Sequence, residues 1–143
     1  MRIAIGCDHA GHEYKQRIMR LLDSKDIVYI DYGTHTSESC DYPVYAKAVA
    51  HSVTEGEADF GILICGTGIG MAMAANKVRG VRAAPCTETF GAKYTRLHNN
   101  ANILCIGARI IGLGVALEIV DVFINTPFEG GKHKRRVDMF EEN

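Results

Sequence analysis

Five short apolar runs punctuate the chain: Ile3–Cys7, Ile27–Asp31, Gly61–Cys65, Val81–Cys86 and Asn102–Gly107. Stretches of helical period lie between and after them. Tyr14–Ser24 carries Ile18, Met19, Leu21 and Leu22 on one side, and Val44–Val53 carries Val44, Ala48, Val49 and Val53. Met71–Lys77, Thr87–Leu97 and Leu113–Asn125 complete the set. Runs too short for helices, joined by segments too long for hairpins, predict stacked βαβ units and an α/β fold with a five-stranded parallel sheet. The polar segment Gly33–Pro43 reads as a loop, with Pro43 opening a helix. Beyond Pro127 and Gly130-Gly131 the charged tail Lys132–Asn143 suits a C-terminal helix, folded over the domain or over a partner subunit.

A chain of 143 residues is expected to form one domain, 1–143, with a core large enough to need no disulfide. Five cysteines without paired spacing then read as reduced thiols in a cytoplasmic protein. Asp8 follows the N-terminus too soon for a secretory segment, and the mainly apolar run Gly61–Ala75 is too short and glycine-broken to span a membrane. Sixteen basic against seventeen acidic residues argue against a nucleic-acid partner.

Ligands of open parallel sheets sit beyond the carboxyl ends of the strands. That rule selects Asp8-His9, Cys65–Gly70, Thr87-Glu88 and Ala108-Arg109, and predicts that they share one crevice. Gly66-Thr67-Gly68-Ile69-Gly70 lacks the lysine of a phosphate-binding P-loop, and Met71 stands where a dinucleotide fingerprint needs glycine. An oxyanion cradle of backbone N–H groups fits better. Cys65 stands at its lip, where it is either a small core residue or a thiol that the helix N-terminus favours as thiolate, hence as base or nucleophile. Asp8 and His9 suit contacts to hydroxyls or phosphate, although Asp8 could equally cap a helix. His9 and His12 lack a third metal ligand, so no metal is expected. His98 could be a general acid or part of a polar turn between the fourth helix and the fifth strand. Lys132–Arg136 is a basic run which, with Arg109, could bind phosphate. The residues by themselves reach a small anionic ligand and acid–base chemistry.

Taken together, Gly6-Cys7-Asp8-His9-Ala10-Gly11, Asp41-Tyr42-Pro43, Gly61–Gly70, Ala75-Asn76-Lys77, His98-Asn99 and Glu129-Gly130-Gly131 resemble the B-type ribose-5-phosphate isomerases over essentially the whole chain. That group includes galactose-6-phosphate isomerase subunits and allose-6-phosphate isomerases. The resemblance implies a Rossmann-like α/β/α sandwich and a cofactor-free, metal-free aldose–ketose isomerase of the pentose phosphate pathway. It also implies a homodimer or homotetramer with active sites shared between subunits, the segment 127–143 packing on the partner. Carried over by position, Cys65 moves the proton between C2 and C1, and Gly66, Thr67, Gly68, Ile69 and Gly70 hold the enediolate oxygen. His98 opens the furanose ring with Thr67, Asp8 handles sugar hydroxyls, Asn99 contacts the sugar, and His9, Arg109 and Arg136 contact the substrate, chiefly its phosphate. Lys132 stands where the family commonly has arginine, keeping the charge but losing the bidentate fork. Members without the cysteine use a glutamate near Met73; no acid lies between Cys65 and Asn76, so Cys65 is the base this segment offers. A six-carbon sugar phosphate or free aldoses as substrate, a non-catalytic sugar-phosphate sensor, and a thiol redox protein are the competing readings.

Overall fold

The computed structural model describes residues 1–141. Strands β1 (Arg2–Cys7), β2 (Val28–Asp31), β3 (Phe60–Cys65), β4 (Ala83–Pro85) and β5 (Ile103–Gly107) form one sheet in the order β2-β1-β3-β5-β4. Every adjacent pair is parallel. The crossovers run through α1 (His12–Ser24), α2 (Tyr42–Thr54), α3 (Ile69–Ala75) and α4 (Thr89–Asn99), and α5 (Leu113–Asn125) and α6 (Lys132–Asp138) follow. The expected five-stranded α/β/α sandwich with a C-terminal helix is what the chain forms.

Helices cover both faces, which is why the strands read as nearly continuous apolar runs rather than alternating ones. Strand alternation sends Ile3, Ile5, Ile62, Ile64, Leu104 and Ile106 to the side of α1 and α5. Ala4, Leu63, Cys65, Ile103 and Cys105 go to the side of α2 and α3. The second face is the thinner one. Val49 of α2 puts its methyl groups 3.0 and 2.7 Å from where Cβ atoms on Gly6 and Gly61 would sit. Only residues without a side chain let α2 settle so near the sheet.

The buried stripe of α1 is Lys15, Ile18 and Leu22. Lys15 is fully buried; its Nζ donates to Asp31 Oδ1 at 2.6 Å and to the Thr34 carbonyl at 2.7 Å. The apolar spacing of Ile18, Met19, Leu21 and Leu22 carries no sign of this buried amine.

Helix boundaries differ from expectation at two places that matter. α3 ends at Ala75 because Asn76 turns its side chain to β4, donating to the Ala83 carbonyl and accepting from its N–H. α4 begins at Thr89, after Glu88 caps the Gly91 N–H at 2.7 Å, and runs through Asn99 to a left-handed Asn100 (φ 48°). His98 and Asn99 therefore occupy the last turn of a helix, not a polar αβ turn. The C-terminal helix α6 lies over α4 of its own chain, burying His133 and Val137. None of the described helices is long and apolar enough to cross a membrane.

Candidate active site

The chain leaves β1 for β2 on one side and returns through β3 on the other, so the carboxyl ends of β1 and β3 flank the topological switch point. Asp8 and Cys65 stand there. The Asp8 N–H donates to the Ile64 carbonyl at 3.1 Å, stitching the two strand ends together. The Asp8 carboxylate accepts from the N–H groups of Ala10 and Gly11, so the capping role is real and holds this buried acid in place. His9 follows, with Nδ1 accepting from the Cys40 N–H at 3.4 Å. A neutral ring held this way keeps its proton on Nε2, free to donate.

Cys65 ends β3, 5% exposed, and its Sγ accepts the Gly68 N–H at 3.1 Å. Such a bond is stronger to a thiolate than to a thiol. Gly68 has φ 77°, a left-handed conformation that makes this return possible and that a side chain would strain. Thr67 Oγ1 accepts from the Ile69 N–H at 3.2 Å. Two donors of the expected cradle are thus committed inside the turn. Among the described residues the N–H groups of Gly66, Thr67 and Gly70 have no protein acceptor, and they are the ones a substrate oxygen can take. Arg109 belongs to this end of the sheet as well. Its N–H donates to the Gly66 carbonyl at 2.9 Å, and its guanidinium passes 3.5 Å from where a Gly66 Cβ would sit.

Gly107 backs the turn: an added Cβ would meet the Thr67 carbonyl at 2.7 Å, a backbone contact that cannot yield cheaply. Gly107→Ala is expected to cost about 1–3 kcal/mol of stability and to lower kcat by displacing Thr67. Urea unfolding and steady-state assays of that variant check both effects; an unchanged kcat would mean the turn's position is not critical.

The other thiols contrast with Cys65. Burial pushes Cys7 up to about 12 and Cys86 up to about 11, and raises Cys105 well above the usual thiol range. These three remain protonated through the physiological range, consistent with core residues. Iodoacetamide at about pH 8 is expected to leave them unmodified until the chain unfolds. Peptide mass mapping reads this, and labelling of any of the three in the folded protein would contradict it.

The remaining site residues lie elsewhere. His98, Asn99 and Arg136 line one cavity of about 550 Å³ with Tyr94, His133 and Phe140; Lys132 is exposed on α6. The His98 ring stacks on His133 with centroids 4.0 Å apart and planes 7° off parallel, and Tyr94 meets it edge-on at 4.9 Å. Glu129 Oε2 lies 3.3 Å from His133 Nε2 and 3.9 Å from His98 Nε2. Desolvation and then the neighbouring His98 push the His133 imidazole below its ordinary value, favouring the neutral ring. Sequence reasoning gave Glu129 and His133 no role of their own, although they flank the Gly130-Gly131 turn four residues apart; nothing in the sequence places them beside His98. The trio is also the set of described residues whose ligand atoms, all within 4.8 Å of one another, could hold a metal ion. The His9/His12 pair is not such a set.

α4 runs from the carboxyl end of β4 back to the amino end of β5, so its last turn sits at the opposite end of the sheet from Cys65. Cys65 is paired with Gly107 at the end of β5, whereas Asn99 precedes Ile103 at its start. The five residues of β5, at about 3.3 Å each, put roughly 15 Å between the two groups. Of the residues selected by strand-end logic, Asp8, His9, Cys65–Gly70 and Ala108-Arg109 stand at the carboxyl ends of β1, β3 and β5, whereas Thr87-Glu88 follow the edge strand β4 and Glu88 is spent on the α4 cap. His98, Asn99, Lys132 and Arg136 lie at the other end within one chain. A second cavity, of about 590 Å³, lies near that far end, between Asn76–Ala84 and the residues Thr95, Asn99 and Phe140.

The ribose/galactose isomerase profile matches residues 3–140. The chain belongs to that family. Ribose-5-phosphate isomerase B of Escherichia coli is 47% identical over 96% of this chain and 92% of its own. A structure of the ribose-5-phosphate isomerase B of Clostridium thermocellum superposes with a TM-score of 0.98, at 48% identity, over 99% and 96% of the two chains. That of Mycoplasma genitalium, solved with bound ribulose-5-phosphate, superposes at 0.93 with 42% identity, over 97% and 93%. Every segment that carries the residues described above lies within the match.

Proposed function

We propose that this protein is a ribose-5-phosphate isomerase of the B type, interconverting D-ribose 5-phosphate and D-ribulose 5-phosphate in the pentose phosphate pathway. The observation that carries the reading is Cys65 at the switch point, bonded to its own glycine turn, in a chain that matches such enzymes end to end. Residues 1–143 act as one isomerase domain. Five free cysteines, four of them buried, suit a reducing cytoplasm.

Each active site is composite: the two groups of residues, roughly 15 Å apart on one chain, come together across a two-fold interface between subunits. In a homodimer the carboxyl-end group of one subunit faces the α4–α6 group of its partner, which brings the segment from residue 127 onward against that partner. His98 protonates the ring oxygen as the anomeric hydroxyl passes its proton to solvent water, and the furanose opens to the aldehyde. Cys65 as thiolate removes the C2 proton; electrons flow to the aldehyde oxygen, giving a cis-enediolate held by the N–H groups of Gly66, Thr67 and Gly70. The thiol returns its proton to C1, and the O2 proton passes to O1, leaving the C2 ketone. Thr67 assists ring opening, Asp8 orients hydroxyls, Asn99 contacts the sugar, and His9, Arg109, Lys132 and Arg136 bind substrate, chiefly the phosphate. All these steps use side chains, backbone amides and solvent water.

The direct test is incubation with D-ribose 5-phosphate in deuterium oxide with EDTA, followed by proton NMR. Ketose formation with solvent deuterium at the transferred position supports the enediol route; no conversion sinks the ribose assignment. The composite site has its own test. Cys65→Ala and His98→Asn proteins, each nearly inactive, are expected on subunit exchange to recover about a quarter of wild-type activity, one intact site in each mixed dimer. No recovery would refute shared sites. Lys132→Arg, by restoring a bidentate donor, is expected to lower KM by roughly two- to fivefold with kcat unchanged.

A further inference from the structure

We infer that His98, Glu129 and His133 form a capture site for a borderline divalent cation such as Zn²⁺ or Co²⁺, and that filling it inhibits the enzyme by occupying His98. The inhibitory half rests on the role given to His98 above; the binding half does not. Two imidazoles and one carboxylate are the donor set of hydrolytic zinc sites, with the fourth position left to water. Such nitrogen-rich sets select zinc, cobalt, nickel or copper over magnesium and calcium.

Geometry supports the set. Ligand atoms 2.0–2.1 Å from a tetrahedral zinc stand about 3.4 Å apart. His133 Nε2 and Glu129 Oε2 already stand at 3.3 Å, and His98 Nε2 is 3.9 Å from the same oxygen. Both Nε2 atoms lie near one carboxylate oxygen, but the rings are stacked 7° off parallel, so binding requires the His98 ring to swing out of the stack until its Nε2 lone pair and that of His133 converge on the ion. His98 and Glu129 are 38% and 49% exposed, leaving room for that adjustment and a path for the ion. The backbones are fixed: Glu129 N–H donates to the Leu97 carbonyl at 3.1 Å, one residue from His98, and His133 is buried on α6. Lys132 and Arg136 flank His133 and oppose a cation, which makes the site reversible rather than structural.

The full-length protein titrated with Co²⁺ in a non-coordinating buffer should develop the intense visible bands of tetrahedral cobalt, one ion per chain, displaced by Zn²⁺. Glu129→Ala and His133→Ala should each weaken the binding by at least 10- to 100-fold. Zn²⁺ should inhibit turnover over the same concentration range, with EDTA restoring it. The binding half is overturned if wild type gives no such bands, if both variants retain them, or if Cys65→Ala is what removes them. Because the spectrum needs no substrate, it stands apart from whether ribose 5-phosphate is converted. Turnover unchanged with the site filled would overturn the inhibition.

Discussion

Cys65→Ala is expected to lower kcat by on the order of 10²–10⁴-fold while leaving the affinity for D-ribose 5-phosphate nearly intact. In the proposed mechanism the thiol is the base, and neither the residues assigned to the phosphate nor the free N–H groups of the turn are removed with it. The substitution has one structural cost, because the buried Gly68 N–H loses its acceptor at 3.1 Å. That cost is about 1–3 kcal/mol, a fraction of ordinary domain stability. Cys65→Ser separates the two effects: the hydroxyl can still accept from Gly68, yet it is a far weaker acid and a poor source of the anion. Both variants should therefore be nearly inactive, with Ser the more stable in thermal unfolding. Isothermal titration with substrate and steady-state rates read the outcome. Retention of more than about a tenth of the activity by Cys65→Ala would place the base elsewhere.

Asp31→Ala is expected to be the most damaging single change to stability, at about 3–5 kcal/mol. Lys15 is fully buried, and Asp31 supplies a carboxylate to it at 2.6 Å; the same Oδ1 also accepts the Gly33 N–H at 2.9 Å. Removing the acid strands a charge inside the α1 face and orphans a backbone donor next to it. Replacing both partners, as Lys15→Met with Asp31→Asn, should recover most of the loss, since apolar contact then replaces the ion pair and the amide oxygen still accepts from Gly33. Urea midpoints of the three proteins measure this. A loss below about 1 kcal/mol in Asp31→Ala would mean that the pair contributes like a surface ion pair despite its burial.

Much of the fold was legible because the two periodicities are local. All five apolar runs became strands and every helical stretch became a helix, with shifts of a few residues at most. The shifts came from side chains that reach across the chain. Asn76 bonds to Ala83 and ends α3; Glu88 caps α4 and moves His98 and Asn99 into its last turn. The burial of Lys15 was not legible, because spacing reports which face is buried, not whether a distant acid makes burial of an amine tolerable. Cys65 and its glycine turn were legible as a site from strand-end logic, and the structure adds that two of the expected amides are taken by Cys65 and Thr67.

What the sequence by itself determined is the parallel sheet, the crossover helices and the delivery of Cys65 to a strand's carboxyl end, all consequences of hydrophobic period and glycine placement. Tertiary structure alone decided that His98, Asn99, Lys132 and Arg136 gather at the opposite end of the sheet, and that Glu129 and His133 join His98 there. The physical reason is that α4 must travel the length of the sheet before β5 begins, and α6 settles on it by packing between residues more than thirty positions apart in the chain. No local period records such a meeting.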